Sequence, residues 1–199
     1  MNALLDALGA TFTGGLILLM IFSAVTNMQV LSYNMHMQTI LNQIAEDLIS
    51  GKTINNISFS GLGYYLSKVG AGVPSGSNPI ITARSNSFKF RGKLTPTTSS
   101  ISIFHITSED AVNGVYPLYV YLSNMSQPIL GPFWLADSLE ITYFDETNTE
   151  ITNPNSNHGD IRSARIYFNF TFETKRDDID KRLVRYPIVI WKYFKNLYL

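Results

Sequence analysis

LGATFTGGLILLMIFSAVTNMQVL, residues 8–31, is the stretch that decides how this chain is built. Only Thr, Ser, Asn, Gln and Gly interrupt its apolar residues, and residues 4–50 contain no Lys, Arg or Pro. At ~1.5 Å per residue a helix over this stretch crosses a hydrocarbon core of ~30 Å, so residues 1–31 read as a membrane span. Beyond it the pattern changes. Met37, Ile40, Leu41, Ile44, Leu48 and Ile49 fall at the i, i+3, i+4 spacing of one helix face, while Gln38, Asn42, Gln43, Glu46 and Asp47 take the other. The span is therefore expected to continue as an amphipathic helix over residues 32–51. At ~1.5 Å per residue the joined helix is roughly 70 Å long, more than the bilayer needs. Its second half must lay the apolar stripe on the rest of this chain or on helices of neighbouring copies.

The remaining residues, 52–199, are enough for one globular domain with a core of its own. Formal net charge is zero and only 15% of residues are charged, so nothing points to nucleic acid or an acidic substrate. Lys175-Arg176 and Lys181-Arg182 flank Asp177, Asp178 and Asp180, which cancel the patch and make a solvated loop the simpler reading. With no cysteine, disulfides, thiolate metal sites and a Cys nucleophile are excluded. No Lys or Arg precedes Lys52, so the basic n-region of a cleavable signal is missing and the span is expected to stay.

Gly51 is the expected helix stop, with Asn55-Asn56 in a turn after it. Residues 57–69 read as a short helix or an irregular packing segment, and residues 70–79 as a loop. Then β-branched and aromatic runs predict strands at 80–83, 87–91, 100–107, 116–123, 138–144, 161–174 and 188–193. The clearest alternation places Ala164, Ile166, Phe168, Phe170 and Phe172 on one face and Arg165, Tyr167, Asn169 and Thr171 on the other. Residues 145–149, between 141–144 and 150–152, read as a hairpin turn, and 153–160 as a polar loop. Helix first and strands afterwards give an α+β fold: a long N-terminal membrane-spanning helix whose amphipathic continuation covers an antiparallel β-sheet.

Catalytic signals are absent from the pattern. His36, His105 and His158 are scattered without zinc-type spacing, and there is no phosphate-cradling Gly loop, G-x-S-x-G or H-E-x-x-H. Asp177, Asp178 and Asp180 lack the spacing and closing Glu of a calcium loop. The expectation is a protein that is not an enzyme and has no catalytic residue, metal or cofactor. The aromatic C-terminal run, residues 186–194, is too short for a second span and reads as a closing strand, or as an exposed edge that receives another subunit.

Three stretches carry a resemblance. Ile44-Ala45-Glu46-Asp47-Leu48-Ile49 is similar to an acidic "ERDL" helix ending. Leu139-Glu140-Ile141-Thr142-Tyr143-Phe144-Asp145 is similar to an "L-x-F-x-Y-x-D" strand and turn. Ile161-Arg162-Ser163-Ala164-Arg165-Ile166 is similar to "I-R-x-V-x-I". In this order, behind a membrane helix, they resemble the larger minor type IV pilins and the minor pseudopilins of type II secretion. The chain departs from that pattern in two ways: no basic leader ending in Gly precedes the span, and no Glu stands near its start. Leu4-Leu5-Asp6-Ala7-Leu8 resembles the family's "L-I-E-L-L" with Asp for Glu, and Asp6 is fifth if the mature chain begins at Asn2.

Asp6 has two readings: an interfacial acid favoured by its own helix dipole, or, as the resemblance implies, a partner for the α-amino group of a neighbouring copy. Gly14-Gly15 either permits close helix packing or a local loosening of the helix, or reflects how common glycine is in membrane helices, and the last reading is the simplest. The resemblance implies an assembling subunit, with membrane and other pilin-like subunits as partners, anchored in the inner membrane with its head in the periplasm or on a cell-surface filament. Counting charges alone points weakly to a cytoplasmic head. The alternative from another class is a single-span anchored extracytoplasmic β-domain that binds a ligand or partner protein.

Overall fold

The computed structural model describes residues 2–54, 57–95, 100–123, 125–173 and 183–197. Two compact units emerge, Met1–Gln43 and Ile44–Leu199. Helix α1, Asn2–Ser50, makes up the first unit and supplies the opening turns of the second. It is long and apolar enough to cross a membrane, as an anchor or a signal does.

In the second unit the i, i+4 stripe is put to use. Leu48 is fully buried in the hydrophobic core, Ala45 is buried, and Ile44 packs against the core's edge. Gly51 ends the helix in the left-handed region, at φ 93°, where a Cβ would cost energy. The chain then makes a two-stranded antiparallel ladder, β1 (Gly51–Ile54) with β2 (Ile57–Ser60), and a short helix α2 (Leu62–Leu66). Between them Gly61 lies so close to the end of α1 that a Cβ there would collide with the Ile49 carbonyl oxygen and the Gly51 nitrogen.

The rest is one eight-stranded antiparallel sheet, composed of β3 (Ile80–Arg84), β4 (Ser87–Gly92), β5 (Ser102–Ser108), β6 (Tyr116–Leu122), β7 (Leu130–Leu135), β8 (Glu140–Phe144), β9 (Ser163–Glu173) and β10 (Leu183–Tyr193). The spatial order is β10-β9-β7-β6-β5-β4-β3, with β8 also on β9. One edge of β9 carries β10 along its whole length. The other is shared: Glu140–Phe144 pair with residues 163–167, and Leu135 pairs with Phe170. The Ile141 N–H donates to the Ser85 carbonyl at 2.6 Å and the Tyr143 hydroxyl to the Arg84 carbonyl at 3.0 Å. These bonds tie β8 to the turn between β3 and β4, so the sheet curls around its core.

Alternation sets which side chains enter that core. Phe88, Phe90, Phe104, Ile106, Leu118 and Val120 point inward from the centre of the sheet, and Ala164, Ile166, Phe168 and Phe170 from β9. Phe88 contacts Phe90, Tyr143 and Phe194, with ring centroids 5.0 to 5.6 Å apart, and so joins strands from both ends of the curl. Each fully buried large side chain contributes about 1.5–3 kcal/mol, and in this core aromatic and aliphatic residues share that burial.

The α+β arrangement matches the expectation, with differences in detail. Strand β7 is an addition to the expected strands, with Gly131-Pro132 inside it; Pro132 is tolerated because it falls in the register shift between Leu118 and Val120 on β6. Strand β10 starts five residues earlier than its apolar run, through Arg185 and Pro187. Residues 57–66 divide into a strand and a helix rather than forming one segment. The turn at 145–149 is present, with the Asp145 N–H donating to Thr149 O, but its second arm is an isolated bridge at Glu150 instead of a strand. The loop with Asp177, Asp178 and Asp180, the turn residues Asn55-Asn56 and the side chain of Phe172 lie outside the described residues.

Candidate functional site

Two surfaces stand out. The first is the apolar part of α1: every residue from Ala3 to His36 is exposed, and Leu18 is 69% exposed. Its threonines are satisfied within the helix. Thr11, Thr13, Thr26 and Thr39 donate their hydroxyls to the carbonyls of Ala7, Gly9, Phe22 and Met35 at 2.8–2.9 Å, which lets threonine sit in a span without an orphaned hydroxyl. Gly15 lies in a shallow apolar groove with Leu8, Thr11, Phe12, Leu16 and Leu19. Gly14 and Gly15 have no neighbouring atom within 4 Å of where a Cβ would sit. Asp6 is exposed and lies in the second turn of α1, whose first turn carries no acid. Asp6, Gly14 and Gly15 thus share one exposed helix.

The second surface is on the head. On its outer side the His105 Nε2 is 2.8 Å from the Ser87 hydroxyl, and Tyr121 donates to Glu109 at 2.8 Å. Burial lowers the His105 pKa from the usual histidine value, with a smaller push from Lys89. Burial raises that of Tyr143 well above the usual tyrosine value. Asp145 is held below the carboxylate range by the backbone N–H of Thr149 and then by the Thr147 hydroxyl, as the anchor of its turn. None of these groups converges on a reacting centre. Among the described residues no three His, Cys, Asp or Glu side chains are placed to hold a metal ion. His36 is exposed on α1, and His158, in a short 3-10 turn, meets the Asn78 amide at 3.3 Å.

The outer face of β9 departs from simple alternation. Arg165 is exposed and Tyr167 half-buried, as an outward face requires, but Asn169 and Thr171 are buried. Asn169 donates to Asp137 at 2.6 Å, and Asp137 faces Arg185 of β10 at 3.9 Å. Beyond them Trp191 stacks on Phe144 at 4.6 Å between centroids, Tyr193 lies beside Trp191, and Val189 is 57% exposed. Alternation alone could not reveal this cluster, because Phe144 and Trp191 meet only after β8 and β10 dock on opposite edges of β9.

Comparison with protein-family models, with curated proteins and with solved structures finds no match to this chain.

Proposed function

We propose that this chain is a non-enzymatic, pilin-like structural subunit of a type IV pilus or type II secretion-type filament, assembling through its N-terminal helix and serving as a minor or tip component. The observation that carries this reading is the double use of α1. Its last turns are buried in the head's core at Ala45 and Leu48, while residues 3–36 are exposed and predominantly apolar, with the hydroxyls of Thr11, Thr13 and Thr26 satisfied within the helix. Such a helix holds the protein in lipid and can exchange lipid for equivalent helices, because close packing at Gly14 and Gly15 replaces one apolar surround with another. On this reading the span sits in the inner membrane, the head is extracytoplasmic, and Asp6 pairs with the α-amino group of the next copy.

The chain contains no native cysteine, so single-cysteine variants report contacts without background. Gly15→Cys and Ala7→Cys, each expressed in the full chain in membranes and oxidised, are expected to give a ladder of cross-linked copies. A strictly monomeric pattern at both positions, with the head still folded, would instead establish an anchored β-domain that works alone.

A further inference from the structure

The two long edges of the sheet are finished differently. At β3 the Ala83 N–H is taken by the Asn155 side chain at 3.2 Å, and the neighbouring Ser85 carbonyl by Ile141. At β10 the ladder to β9 uses alternate residues. The Phe194 N–H donates to Arg162 O at 2.9 Å, which continues the even-numbered series, and Ala136 takes the Asn169 carbonyl on the far side of β9. Residues 185, 187, 189, 191 and 193 therefore turn their backbone groups away from β9. Pro187 falls in this outward series, the position where a strand loses no ladder bond to proline. Among the described residues nothing pairs with this edge.

Beside it the core is open. Ile188 and Ile190 face inward but remain half-buried, unlike their fully buried counterparts Phe168 and Ile166 on β9. Outward N–H and C=O groups at Val189, Trp191 and Tyr193, repeating every second residue, are matched by another extended backbone. Charge selects which one. Strand β10 contains Arg185 and Lys192 and no acid; Arg185 faces Asp137, while Lys192, on the inward face, has no ion pair among the described residues. A second β10 would add only like charges. We propose that the outer edge of β10 receives an extended, apolar segment of a different polypeptide that carries an acidic residue opposite Lys192, added as a further strand. This does not depend on assembly through the helix.

The test uses the full chain in detergent micelles and two synthetic peptides of alternating Val and Thr, one with Asp and one with Lys at the same two positions. Amide hydrogen exchange is read along β10. The acidic peptide is expected to slow exchange at Val189, Trp191 and Tyr193, and the basic peptide to leave it unchanged. Val189→Pro, which removes only an outward donor, should abolish the protection. Lys192→Glu should reverse the peptide preference, and it tests the idea even if the proline variant misfolds. Equal protection by both peptides, or protection by neither, overturns the proposal. So does concentration-dependent protection without peptide that Val189→Pro removes, since the occupant would then be a second copy. The Gly15→Cys ladder is unaffected by any of these outcomes, so the two readings fail separately.

Discussion

Leu18 and Leu48 are the same residue on the same helix, yet Leu18 is 69% exposed and Leu48 is not exposed at all. The helical backbone is common to both, so the difference lies in what each side chain was selected to meet. From Ile44 onward the helix is part of a folded head and answers to its packing density. Residues 3–36, by contrast, are all exposed, and there the sequence is rich in large aliphatic side chains without a packing stripe.

The largest expected effect is at the buried end. Leu48→Ala leaves a cavity in the core and should lower the stability of the head by about 2–5 kcal/mol, read as a drop in the melting transition of the full chain in detergent. Leu18→Arg tests the other end. It should oppose membrane insertion by about 2.5–3.5 kcal/mol, read as a smaller membrane-inserted fraction, while the melting transition of the head stays put. If Leu18→Arg unfolded the head, the division between the two parts of the helix would be wrong.

A smaller effect is confined to the head. His105 has its pKa lowered by burial, so the folded state binds fewer protons there than the unfolded chain does. Its stabilising contribution is therefore present above the unfolded value of about 6.5 and is lost as pH falls below it. His105→Gln should flatten this acid-side decline in melting temperature, and an unchanged pH profile would remove His105 from the account. Smallest of all, Leu18→Ala should leave the head's melting transition where it is.

Much of this division was legible in the sequence. The uncharged run and the i, i+4 stripe named the helix and its two environments, because a helix exposes its periodicity within a few turns. Strand β9 could be read as well, through Ala164, Ile166, Phe168 and Phe170. What escaped depends on partners distant in the chain. Pro132 looks like a strand breaker until the bulge opposite it is known, and Arg185 and Pro187 look like a loop until β9 supplies their ladder. Asn169 and Thr171 have the residue types of a solvent face and are nevertheless buried. The candidate assembly residues Asp6, Gly14 and Gly15 come from the sequence alone, and the structure adds that all three lie exposed on α1. Sequence could not distinguish the open edge at β10 from the capped one at β3, since that contrast rests on single hydrogen bonds, one accepted by Asn155 and one donated by Ile141.

The missing side chain at Gly61 brings main chain against main chain at the end of α1, beside Ile49 and Gly51. A joint of that kind has no soft spacer to stretch. Tension along the helix would pass into the head as through a rivet, so a larger residue at position 61 should weaken the protein under mechanical load more than at rest.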